Sequence, residues 1–120
     1  MTNNTLNSDD LAQFTGTEHW YRHPLVRKVL YTDGVRYVAE HGSAYWLIDE
    51  IAFAQSLRNV AAEEFQVWEL SVSINRTAGL TCTDGNHRVV YTKPLNWTDF
   101  PLDEICFYFT DNTILLPSEY

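Results

Sequence analysis

From Phe65 onward the chain alternates with a period of two. Trp68, Leu70, Val72 and Ile74 fall on one side, with Glu69, Ser71 and Ser73 between them, the pattern of a strand with one buried face. Leu80 and Cys82 continue on a second strand. The turn Thr83-Asp84-Gly85-Asn86 predicts a hairpin return into 88–93, because Asp-Gly supplies the positive φ that a tight hairpin needs. After a turn region at 94–103, Ile105, Phe107 and Phe109 alternate with Cys106 and Tyr108. Asp111-Asn112 then turns the chain into Ile114 to Leu116, ending at Pro117. The second half reads as an antiparallel sheet of neighbouring strands.

Ahead of Phe65 the pattern changes. Glu18 to Arg22 and Leu25 to Tyr31 read as short strands separated by His23-Pro24, since Pro cannot donate to a ladder and disfavours helix in the residue before it. Thr32 or Asp33 caps a helix from Gly34 to His41, with Gly42 placed for the left-handed C-terminal position. Ser43 starts the next helix. From Ala44 to Ser56 that helix is apolar nearly all the way round, with Asp49 and Glu50 marking a solvent stripe, as expected of a helix buried on more than one side. Ser8 caps a shorter helix, ended at Thr15-Gly16-Thr17, and residues 1–7 read as a polar tail. These elements predict one α+β domain over 8–120, in two layers, with N-terminal helices packed on a mainly antiparallel sheet.

Composition agrees with a folded core. Of 120 residues, 45% are hydrophobic and 14% aromatic, unlike the aromatic-poor chains that stay disordered. Cys82 and Cys106 stand alone, with no C-x-x-C, and read as buried apolar residues rather than reactive thiols. No basic region followed by an apolar stretch opens the chain, and no run approaches the roughly 18 apolar residues of a membrane span. A cytoplasmic protein with no membrane partner is expected. The net charge of -8 and pI near 4.7 repel a polyphosphate backbone, so no nucleic-acid partner is expected. The charge is uneven, however, with Arg22, Arg27, Lys28 and Arg36 close in sequence and no Lys or Arg beyond Lys93.

Candidate chemistry is sparse. Four Thr-Asp pairs, at 32, 83, 98 and 110, recur where the apolar period breaks. They read as caps and turns, because both side chains bond nearby amides. His19 and His23 have H-x-x-x-H spacing, but strand context, Pro24 and the missing third ligand argue against a metal, so no metal or other cofactor is expected. No nucleophile elbow and no Gly-rich phosphate loop occurs. Asp49 stands out as a carboxylate in an apolar helix, beside Trp46, Ile48 and Phe53. The segment His19, Trp20, Tyr21, Arg22, His23, with Arg27 and Lys28, is the best candidate recognition surface, since Trp, Tyr and Arg dominate binding hot spots.

Four stretches, FTGTEHWYRH at Phe14 to His23, YTDGVRYVAEHGSAYWLIDEIA at Tyr31 to Ala52, EEFQVW at Glu63 to Trp68 and FPLDEI at Phe100 to Ile105, resemble the landmarks of an uncharacterised bacterial, largely cyanobacterial, family, a domain of unknown function. The resemblance spans Phe14 to Ile105 and implies an intact single domain, while carrying over no catalytic or ligand residue. The function is therefore open. The expectation is a small acidic module that binds another protein and is not an enzyme, with oligomeric state unassigned. Two other classes compete with it: a hydrolase-like small-molecule enzyme using His19, His23 and Asp49 in one cleft, and an acidic nucleic-acid mimic with carboxylates spread along one face.

Overall fold

The computed structural model describes residues 6–120. The expected tail lies outside the described residues as far as position 5. Leu6 is buried in the core, and Asn7, rather than Ser8, caps α1 (Ser8–Leu11) by accepting from the Asp9 amide at 2.9 Å. The chain then forms β1 (Trp20–Arg22), β2 (Leu30–Thr32), α2 (Asp33–His41), α3 (Tyr45–Ala54) and α4 (Arg58–Ala61). Five strands follow: β3 (Phe65–Val72), β4 (Ala78–Thr83), β5 (Val89–Leu95), β6 (Glu104–Thr110) and β7 (Thr113–Leu115), with a closing 3-10 turn at Pro117–Glu119.

Among the described residues seven strands join one sheet in the order β1-β2-β7-β6-β3-β4-β5. This overturns the expected two-layer arrangement of N-terminal helices on a mainly antiparallel sheet of the later strands. The sheet is mixed, β2 running parallel to β7, and the N-terminal half supplies two of its strands as well as a few short helices. Hairpins such as β3–β4 and β6–β7 are written locally. The β2–β7 pair joins residues some 80 positions apart, and β6 inserts beside β3 rather than beside β5. Neither pairing leaves a local sequence signal.

Alternation sets the faces. Gln66, Trp68 and Leu70 of β3 point inward with Phe107 and Phe109 of β6 and Leu80 and Cys82 of β4, and they share one core with Val35, Val38, Ile48 and Ile51 of α2 and α3. Ile74 departs from the expected pattern. It is fully exposed, because β3 ends at Val72 and Ser73 to Thr77 form the turn into β4. Three of the Thr-Asp pairs act as read: Thr32 Oγ1 accepts from the Val35 amide, Thr83 Oγ1 from Gly85 and Thr98 Oγ1 from Phe100. Gly85 takes φ +89 in its turn, as the Asp-Gly reading requires. Gly42 does not take the left-handed position: its φ is -103, and Ser43 carries the positive φ. Glycine is needed at 42 for space, since a Cβ would stand 2.9 Å from the Val38 carbonyl oxygen and 3.0 Å from the Phe100 ring.

One cluster inside the core is polar. Gln55 and Gln66 bond each other reciprocally, at 2.9 and 3.0 Å, and Gln66 Oε1 also accepts from Trp68 Nε1 at 2.9 Å. Gln66 Nε2 reaches the carbonyls of Val60 and Glu63, and Gln55 Nε2 that of Ile51. Every donor in the cluster has an acceptor, the condition under which a buried polar network fixes a single packing.

Candidate functional site

The candidate segment lies on the sheet edge. Among the described residues β1 pairs with β2 alone, Tyr21 opposite Tyr31, and the His23 amide donates to the Val29 carbonyl at 2.9 Å. In an antiparallel ladder hydrogen-bonded pairs alternate, so with 23 and 21 bonded to β2, the backbone groups of Trp20 and Arg22 face outward. Their side chains lie on the sheet face away from the core, and Trp20 is 57% exposed. Tyr21 points the other way, toward α2. Its hydroxyl donates to Asp33 Oδ1 at 2.9 Å and accepts from Arg36 Nη1 at 3.0 Å, with the guanidinium 4.7 Å above its ring.

Asp33 ties this edge to the helix. Its Oδ2 accepts from the amides of Glu18 and His19, at 3.0 and 3.3 Å. Desolvation pushes the carboxyl up, but those amides and the Tyr21 and Thr17 hydroxyls together outweigh it and hold the group below its ordinary value. His19 stands outside, mostly exposed, with Nδ1 3.6 Å from Asp33.

His23 is 1% exposed and organises the β1–β2 connection. Its Nδ1 accepts from the amides of Leu25 at 3.1 Å and Val26 at 2.9 Å, while Nε2 lies 2.7 Å from Asp49 Oδ1 on α3. An atom that accepts from two N–H groups carries no proton itself, so the ring proton sits on Nε2 and is donated to Asp49. Pro24 to Lys28 are thereby held against α3, with the Phe53 ring edge-on to the imidazole at 5.5 Å. Leu25 projects from this loop and is 73% exposed. The Arg22 guanidinium braces it further by donating to the Arg27 carbonyl.

The charge placement is lopsided. Among the described residues Arg22, Arg27 and Lys28 make no ion pair, whereas Arg36 meets Glu40, Arg88 meets Glu63 and Asp84, and Lys93 meets Glu50 at 2.6 Å. On a chain of net charge -8, Arg22 and Arg27 thus stand without an ion pair beside the edge strand, while Arg58 on α4 and Arg76, whose guanidinium serves the Thr98 and Phe100 carbonyls, are likewise without one elsewhere.

The structure brings His23 and Asp49 together and sends His19 to Asp33 instead. With Nδ1 and Nε2 both engaged, His23 has no nitrogen left to take a proton from a substrate while the loop is folded. Of the carboxylates, Asp33, Asp49, Glu50, Asp84 and Glu119 each hold groups of the protein itself, while Glu69 and Glu104 line one surface cavity. Among the described residues no group of three or more His, Cys, Asp or Glu is placed to hold a metal ion, and no helix is long and apolar enough to cross a membrane. Sequence reasoning missed Asp33 as the organiser of the edge. Its place in a Thr-Asp cap explained it fully, and nothing local announced contacts to residues 14 and 15 positions earlier.

The chain belongs to a family of unknown function, DUF6876, whose model matches residues 5–120. The match covers the whole stretch on which the resemblance was read and extends past both of its ends. No curated protein and no solved structure matches the chain.

Proposed function

We propose that the protein is a binding module that takes an acidic, extended segment of another protein along the outer edge of β1. The observation that carries this reading is the edge itself, where outward backbone groups of Trp20 and Arg22 coincide with the guanidinium of Arg22, bonded to the Arg27 backbone, and neither arginine makes an ion pair among the described residues, whereas Lys28 lines a cleft with Glu63, Glu64 and Asp111. An added strand would gain main-chain hydrogen bonds from that edge, and alternate side chains would meet Trp20 and Arg22. Carboxylates on the segment answer Arg22 and Arg27, and the otherwise acidic surface repels wrong registers. The His23–Asp49 contact supports the reading because a loop fixed before binding loses little freedom on binding. Two free cysteines support a cytoplasmic setting, where thiols stay reduced.

Selection from a random-peptide display library tests the proposal. Acidic sequences free of Pro are expected to be enriched, with binding that weakens as salt rises. The Trp20→Ala, Arg22→Ala double variant is expected to bind them at least about tenfold less tightly. Enrichment of neutral or basic peptides, or full binding by the double variant, would refute it.

A further inference from the structure

Away from the β1 edge, two tryptophans and an aspartate line a surface cavity of about 230 Å³. Trp46 comes from α3, Leu95 from the end of β5, and Trp97, Thr98 and Asp99 from the loop leading to β6. Trp97 is 66% exposed, so its indole is not explained by packing into the core. No Lys or Arg lines the cavity, and Asp99 makes no ion pair among the described residues.

The loop is built to hold its shape. The Thr98 amide donates to the Arg76 carbonyl at 2.9 Å, Arg76 Nε donates to the Thr98 carbonyl at 3.1 Å, and the same guanidinium reaches the Phe100 carbonyl. Arg76 adopts φ 70, an uncommon conformation for a residue other than glycine. Thr98 and Phe100 are buried on either side of Asp99, which is exposed. The clasp uses the guanidinium on backbone oxygens, and no ion pair joins it to Asp99.

Indole faces attract cations through the negative face of the ring, and they do so best when the cation is too poorly hydrated to prefer water. A methylated ammonium meets that description: its methyl groups pack against Trp and Leu, and its charge answers a carboxylate. From this we infer that the Trp46–Trp97–Asp99 cavity is a binding site for a trimethylammonium group. It is independent of the β1 edge and of the proposal made for that edge. The recognised group is the same on a choline-type small molecule and on a methylated lysine side chain.

The four indole N–H signals of the protein, followed in ¹H–¹⁵N spectra during titration, provide the test. Choline and Nε-trimethyllysine serve as probes for the two sources, and 3,3-dimethyl-1-butanol as the uncharged isostere of choline. Saturable shifts of the Trp46 and Trp97 signals are expected with at least one charged probe, Trp20 and Trp68 staying in place. The isostere is expected to bind at least about tenfold more weakly. Trp97→Ala, at an exposed position that leaves the fold intact, should lower affinity by about tenfold or more, and Asp99→Asn by about threefold. Equal binding of the isostere, unchanged affinity in Trp97→Ala, or no saturable shift with either charged probe would overturn the assignment.

Discussion

Replacing His23 by Leu tests how the recognition loop is held. The substitution preserves apolar volume against Phe53 but removes three hydrogen bonds, those from the Leu25 and Val26 amides and the one to Asp49. The loop is partly exposed, so each orphaned amide should cost about 1 kcal/mol, near the bottom of the range for a lost partner. The Asp49 side chain is 49% exposed and recovers water, which limits the loss of its bond to about 1 kcal/mol. Better burial of Leu than of imidazole returns about 1 kcal/mol. A net destabilisation of about 2 kcal/mol follows from these contributions. Asp49→Asn keeps an acceptor for Nε2–H and should cost less than about 1 kcal/mol. Urea denaturation measures both, and amide exchange at Leu25 and Val26 localises the first. If the two variants lose equal stability, or if those amides stay protected in His23→Leu, the imidazole is not what holds the loop.

The polar cluster of the core gives a larger effect. Gln66→Leu orphans Trp68 Nε1–H and the Gln55 side-chain oxygen, and should cost about 3–4 kcal/mol by chemical denaturation. Glu119→Ala should cost about 2 kcal/mol by the same measure, because its carboxylate accepts from Thr32 Oγ1, the Gly34 amide and the Leu116 amide, closing the C-terminal turn onto the start of α2. Gly42→Ala should destabilise by about 1–3 kcal/mol through contact with the Val38 carbonyl and Phe100. Burial first, and then neighbouring carboxylates, push the Cys82 thiol up to about 12 and Cys106 up to about 11. Native-state alkylation at pH 8 should therefore be slow and still rising with pH beyond 9. In that range the unfolded chain sheds thiol protons that the native state keeps. Stability contributed by the two thiols is complete below about pH 9 and falls as pH climbs toward 11–12. Alkylation that levels off near pH 9 would contradict the burial of both groups.

Much of the fold was legible where the information is local. The β3 alternation, the Asp-Gly turn, the Thr32 cap and the Asp111-Asn112 turn, whose residues both have positive φ, depend on near neighbours in sequence. Ile74 misled because it continues the period of β3 into a turn, where exposure follows chain reversal rather than alternation. Sheet order was not legible. The parallel seam between β2 and β7 joins residues some 80 positions apart, and no short pattern encodes that pairing. At the candidate site, residue type alone makes Trp20, Arg22, Arg27 and Lys28 candidates. The division of labour within the segment, with His23 and Tyr21 turned inward and Trp20 outward, required the ladder register. Asp49 was singled out as an anomalous carboxylate, and its role is to receive the His23 proton donor. Gln55 and Gln66 gave no signal, since one sits past the end of a helix and the other in an apolar strand, and only the fold brings their amides together.

The proposed role of the β1 edge meets its most direct test in backbone amide exchange at Trp20 and Arg22, measured free and with a saturating acidic peptide selected on the protein. Strand addition predicts that both amides, open to water in the free protein, become protected together, while Tyr21, already bonded to Tyr31, changes little. Unchanged exchange at Trp20 and Arg22 in a saturated complex would show that the peptide binds elsewhere and would contradict the account.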